Sequence, residues 1–298
     1  HFSTQGASGG PVGIINVDFV RSGDFLSGAF PASRGNALSS VMNFSMIDGN
    51  KEKRTLRATL GASDIGLTYN GPAGERSSII VSARRSYLQF LFGVLELPFL
   101  PTYTDFQFKY KINFDQKNEL TILGLGANDD FNLNLEANET EFQRYILGYI
   151  PTQEQYSYTV GAVYRHFRSN GSDIVVLSRN YLNNTQYKYL NNDESDPDNK
   201  TLDYNSGEGD IRLRYEGNVI YPSTFRISYG AGTEMSRYRN DTFRKVYTDT
   251  GLETDIYSTN LVFFKYSAFG QVSKTFIDEK LSLSFGLRTD GNSYSPEM

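Results

Sequence analysis

Apolar and polar residues alternate with a period of two along most of this chain, and that alternation predicts long antiparallel β-strands. In Thr104–Asp115, Phe106, Phe108, Tyr110, Ile112 and Phe114 take one face, while Asp105, Gln107, Lys109, Lys111 and Asn113 take the other. Tyr156, Tyr158, Val160, Ala162 and Tyr164 oppose Ser157, Thr159, Gly161 and Arg165. The same phase runs through Ile65–Tyr69, Phe225–Gly232 and Leu281–Arg288. Side chains alternate across a strand, so each segment carries one aromatic-aliphatic wall and one wall of Ser, Thr, Gly, Arg and Gln.

Connections punctuate the strands unevenly. Short turns are predicted at Phe114–Asn118, Pro151–Gln155, Gly217–Pro222 and Phe276–Lys280. Long polar excursions are predicted near 86–103, 127–141, 179–208 and 235–258. Short turns at one end and long loops at the other are the pattern of an outer-membrane barrel, as are Tyr and Phe at strand ends. A soluble sandwich also alternates, but its polar face is seldom so rich in Gly, Ser and Arg. The predicted fold is therefore all-β, a transmembrane antiparallel β-barrel. Roughly 11–13 strands follow residue 50, too few for a plugged transporter barrel of about 22, so the chain is expected to hold part of one; a closed 12-strand barrel is the alternative, without a proper last strand.

Composition sharpens this picture. There are 21 Tyr, 21 Phe and 27 Gly against 9 Pro, yet the mean hydropathy is only -0.44. Strands with one greasy and one wet face reconcile the two. The net charge of -5 offers no basic footprint for nucleic acid, and the absence of Cys excludes disulfides and thiolate metal sites. The most apolar stretch, Leu88–Pro101, is roughly 14 residues long and interrupted by Gln89 and Glu96, short of the ~20 that a transmembrane helix needs. The chain begins at His1 and ends on a turn-like Ser293–Met298, so it reads as an excised piece cut before the barrel closes.

Residues 1–50 differ from residues 51–298. They are rich in Gly and small residues, with a short apolar strand expected at Ile14–Val20 and a turn at Asp48–Asn50 leading into the first long strand. The run INVDFVRSGDFLSG followed by GAFPASRGNALSSVMNFSMIDGN resembles the closing segment of the plug domain of TonB-dependent outer-membrane receptors. Its G-x-x-P-x-x-x-G element falls on Gly28, Pro31 and Gly35, with Ser39 opening the small-residue strand. The later run YSAFGQVSKTFIDEKLSLSFGLRTD, residues 266–290, resembles the barrel hairpins of that family. The resemblance implies the end of a plug at 1–50 and the N-terminal part of a barrel at 51–298. It also implies a nutrient bound outside the cell and import powered by the TonB–ExbB–ExbD system, through a plug segment not included in this sequence. Outer-membrane lipid and lipopolysaccharide would surround the barrel. The cargo (siderophore, glycan, peptide or cobalamin) stays open, as does a surface lipoprotein cap. A self-contained porin or adhesin barrel and an intramembrane hydrolase are the alternatives.

Candidate chemistry is sparse. No catalytic residue, cofactor or metal site is assigned. His166 is the one histidine besides His1 and falls in phase with Tyr164 and Ala162, and no G-x-S-x-G elbow accompanies it. The oxygen-rich run Asn191–Asn199 lacks the spacing of a calcium loop and reads as a solvated loop, as does Asn128–Asp130. Arg84 and Arg85 are candidates for contact with the plug or with anionic lipopolysaccharide. Aromatic residues in the expected loops, Phe90, Phe92, Phe99, Tyr181, Tyr187, Tyr189, Tyr238, Tyr247 and Tyr257, are the candidates for substrate contact, because clustered rings stack on sugars and hold apolar ligands.

Overall fold

A computed structural model describes residues 13–28, 30–35, 39–222, 224–249, 251–277 and 280–294. The expectations for residues 1–12, for Ala29 and 36–38 of the glycine-rich run, and for 295–298 lie outside the described residues.

Two antiparallel sheets form. A hairpin of β1 (Val20–Leu26) and β2 (Val41–Met46) makes the small one. The large sheet has eleven strands, each bonded to its neighbour in sequence. They are β3 (Thr55–Leu60), β4 (Asp64–Gly74), β5 (Ser77–Ser86), β6 (Phe99–Asn113), β7 (Asn118–Leu133) and β8 (Thr152–Arg168). Then follow β9 (Gly171–Tyr189), β10 (Lys200–Ile220), β11 (Phe225–Thr248), β12 (Gly251–Phe276) and β13 (Leu281–Asn292). Among the described residues β3 and β13 are the sheet's edges.

The pairing register confirms the alternation read from the sequence. Phe106, Val160, Leu177, Leu213, Phe264, Phe285 and Leu287 lie on one face and are exposed. So broad an apolar surface is untenable in water and suits lipid. The opposite face holds Ser78, Ser82, Asp105 and Gln107, all fully buried beneath the inner segment that precedes β3.

Several local expectations are corrected. Ile14–Val20 is not a strand: a 3-10 turn occupies Val17–Phe19, and β1 starts only at Val20. The Asn16 side chain accepts the Asp18 N–H and thereby caps that turn, while its own amide group is drawn to the wall. Pro151–Gln155 is not a tight turn. The connection before it holds helix α2 (Glu141–Tyr149), closed by a Thr140–Gln143 capping box, and β8 begins at Thr152. The excursion at 86–103 contains helix α1 (Leu88–Val94) and the start of β6. Most of 179–208 and 235–258 is strand: β11 and β12 form one ladder from Phe225–Lys274 to Thr248–Gly251. Strands β8 to β12, 17 to 26 residues long, exceed the roughly 9–11 residues that cross a membrane, and the surplus rises beyond it.

Candidate functional site

The inner segment is tied to the wall most firmly at β5, β6 and β7. Arg84 on β5 places its Nε between the two carboxylate oxygens of Asp105 on β6, at 3.0 and 3.1 Å. Its Nη2 donates to the carbonyls of Gly13 and Ile14, each at 3.1 Å. Asn16 donates its backbone N–H to Gln107 Oε1 and its side-chain amide to Ser82 Oγ, both at 3.0 Å. Ile14 packs against Leu125 and Ala127 of β7. Asn16, Ser82, Asp105 and Gln107 are buried, so each partner matters: an orphaned one costs about 1–3 kcal/mol. Arg84 is thus one of the sequence candidates that reaches the inner segment; Arg85 turns to the outer face and donates to Thr104 Oγ1.

Below this lies a chain of charges. Asp48 accepts from Lys109 at 2.7 Å and from Lys111 at 3.1 Å. Lys111 also reaches Glu119, which in turn holds Arg165. Burial raises the Asp48 carboxyl, but the hydrogen bonds and positive charges of both lysines outweigh it and hold the group below the usual range. Next to it, a Cβ on Gly49 would stand 2.6 Å from the Ile79 backbone. Only glycine lets the chain pass this close to the wall.

At β12 and β13 the inner segment touches the wall lightly. Gln271 Oε1 accepts from the Ala32 N–H at 2.9 Å, and Arg288 Nη1 donates to the Ala32 carbonyl at 3.2 Å. Beside this contact opens an interior cavity of about 860 Å³, lined by Arg34 and Gly35 of the inner segment and by β9 to β13. Its charges are interlocked. Glu234 binds Arg212 at 2.8 Å and Lys265 at 2.7 Å, and Arg212 also meets Asp210 at 3.0 Å. A second cavity of about 270 Å³ adjoins it through Phe263 and Lys265 and is lined by Asn180, Glu208, Asp210 and Tyr238. Concave and lined by charged and polar side chains, this interior presents many polar groups to whatever enters it. Among the described residues, no group of three or more His, Asp or Glu is placed to hold a metal ion.

Register divides the aromatic candidates. Tyr238 and Tyr257 share the inward phase of Ser236 and Thr242, and Tyr238 lines the smaller cavity. Phe99 is inward as well, stacked on Phe131 at 5.3 Å and met edge-on by Phe92 of α1 at 5.6 Å. Tyr181, Tyr187, Tyr189 and Tyr247 have the outward phase. Tyr181 packs with Tyr156 and Tyr158 at 5.7 and 5.8 Å, and Tyr247 is 78 % exposed. Phe90 is exposed on α1. The run Asn191–Asn199 spends its carboxylates locally. The Ser195 hydroxyl and N–H hold Asp193 below the usual carboxylate range, and Asp196 caps the turn Pro197–Asn199. His166 lies on the outer face with Nδ1 2.8 Å from Asn118 Oδ1. Of the glycine-proline element, Pro31 accepts the Arg34 N–H in a turn, Gly35 abuts the Arg288 guanidinium, and Gly28 and Ser39 are exposed. The interior charges Arg212, Glu234 and Lys265 escaped the site prediction. Their only signal in the sequence is membership of the polar phase.

An antiparallel up-and-down wall, apolar outside and polar inside, with a separate segment hydrogen-bonded to its inner face, is the architecture of a plugged outer-membrane receptor barrel. Solved structures bear this out: the fold is that of TonB-dependent outer-membrane receptors. A mutant of the ferric enterobactin receptor PfeA from Pseudomonas aeruginosa matches 98% of this chain with a TM-score of 0.65 at 17% identity, over 47% of its own length. The ferripyoverdine receptor of the outer membrane of Pseudomonas aeruginosa, bound to ferripyoverdine, matches 92% with a TM-score of 0.63 at 12% identity, over 42% of its own length. The siderophore receptor PirA from Acinetobacter baumannii matches 93% with a TM-score of 0.61 at 13% identity, over 44% of its own length. The chain thus spans less than half the length of these receptors. No protein-family model matches it, and no curated protein matches it in sequence.

Proposed function

We propose that this chain is part of an outer-membrane receptor that binds a nutrient at the cell surface and imports it with energy from the TonB–ExbB–ExbD system. On this reading residues 1–50 are the end of the plug and residues 51–298 the first part of the barrel. The observation that carries it is the buried seat of Arg84, Asp105, Asn16 and Gln107. These residues fasten a separate segment across the inner face of a membrane-type wall, which an open pore has no use for. The outward apolar face supports residence in the outer membrane. The cavity lining supports binding and gated passage without covalent chemistry. Inward aromatics Phe99, Tyr238 and Tyr257 are proposed to meet the cargo on its way down, and an iron chelate is the first cargo to try, because three of the receptors sharing the fold are named for siderophores or their ferric complexes.

The test is growth and radiolabelled uptake by cells whose only source of this transport is the full-length protein. Uptake of a ferric siderophore that disappears when tonB is disrupted is the expected result. Uptake that continues unchanged without TonB, or recovery of the protein outside the outer-membrane fraction, would overturn the reading.

A further inference from the structure

The outward face of the wall should be apolar, yet β9 and β11 put arginines on it. Arg179 shares its row with Ile211 and Met235, and Arg237 lies one outward step further along β11, followed by Arg239. Arg239 is paired with Asp241 at 2.8 Å. Arg179 and Arg237 have no carboxylate partner among the described residues; Arg179 rests against the Tyr158 ring, 5.9 Å from its centroid. A bare guanidinium directed at lipid is costly near the bilayer centre and is tolerated where it reaches the headgroups. Both stand at that level. Arg179 is the ninth residue of β9 and Arg237 the thirteenth of β11, counted from the short-turn end, where roughly 9–11 residues complete a crossing.

The strand between them is bare. On β10 the outward positions beside Tyr181 and Arg237, and beside Asn183 and Arg239, are Gly209 and Gly207. The Tyr181 side chain lies over both: a Cβ would come within 2.8 Å of its hydroxyl at Gly207 and within 3.2 Å of its ring at Gly209. The result is a shallow trough with an aromatic floor, walled by Arg179 on one side and by Arg237 and Arg239 on the other. By the spacings of strands and residues, Arg179 and Arg237 stand about 12 Å apart. One headgroup bearing two phosphates spans that distance.

We propose that this trough binds a phosphorylated glycolipid of the outer leaflet, its phosphates on Arg179 and Arg237 and its sugar on the Tyr181 ring. The inference rests on the membrane reading above and adds a lipid site to it. Arginine suits the role because its planar fork donates two hydrogen bonds to one phosphate.

The experiment uses the full-length protein in detergent, titrated with bis-phosphorylated lipid A, dephosphorylated lipid A and phosphatidylglycerol. Wild-type protein should bind bis-phosphorylated lipid A at least tenfold more tightly than the other two. Arg179→Gln with Arg237→Gln should erase that preference, and Arg179→Lys with Arg237→Lys should keep most of it. Equal affinity of wild type and the Gln pair, both correctly inserted in the outer membrane, overturns this inference alone. So does binding of phosphatidylglycerol as tight as that of lipid A. Failure of the wild type to reach the outer membrane overturns the underlying reading, and this inference with it.

Discussion

Besides an exposed ion pair of Asp18 with Arg57 on β3 and a bond from the Asn50 N–H to Asn70 on β4, the described part of the inner segment meets the wall at two sites of opposite character. At β5 to β7 it is seated by buried, mutually satisfied polar groups around Arg84 and by the packing of Ile14. At β12 and β13, among the described residues, it rests on two hydrogen bonds at Ala32, beside a cavity of about 860 Å³. A seal of few bonds is the cheaper one to break. The expectation to test is that β12–β13 is the yielding side of this contact and β5–β7 its hinge.

Breaking the hinge should have the largest effect. Arg84→Ala leaves Asp105, whose side chain is 1% exposed, as a buried charge without its partner. The expected loss is about 3–5 kcal/mol, seen as a lower urea midpoint and as fast amide exchange in residues 13–19. Slow exchange there in the variant would show that the two sides are equally held. Gly49→Val comes next. Its side chain would press into the Ile79 backbone, costing about 1–3 kcal/mol and exposing the 41–50 stretch to protease while the wall stays intact. On the yielding side, Arg288→Gln removes one bond to Ala32 and should cost about 1 kcal/mol, with increased exchange confined to residues 30–35.

The smallest effect is one of pH. Asp48 is held below its ordinary value of 3.8, so the stability it lends the linker is fully present above about pH 4. That contribution fades as pH falls through the lowered value, because protonation releases Lys109 and Lys111. Exchange of residues 41–50 followed from pH 6 to pH 3 should rise only at the acid end, and Asp48→Asn should abolish the pH dependence.

Much of the wall could be read from residues alone. Phe106, Tyr158, Ala162, Leu283 and Phe285 were assigned to the correct face, because a half-buried strand writes its burial directly into alternate positions. The reading faltered above the membrane. There both faces of β11 and β12 are wet, so Asn240, Asp241 and Thr242 carry no alternation, and a long ladder looks like a polar loop. It faltered too at Ile14–Val20, where the wall's Gln107 and Ser82 engage Asn16 beside a 3-10 turn. Nothing within those residues announces partners 66 and 91 positions away.

Which aromatic residues face the interior was likewise beyond the chain itself. Tyr181 and Tyr238 look alike in sequence, and only the register of β9, β10 and β11 turns one to the lipid and the other to the cavity. By itself the sequence determined the class of the wall, its approximate strand number and the presence of a foreign segment ahead of it, since each is a local pattern of side-chain chemistry. The tertiary structure decided where that segment is clamped, where it is held lightly and which charges line the cavity beside it. Those depend on pairs brought together across many strands, and a one-residue slip in register would reverse them all.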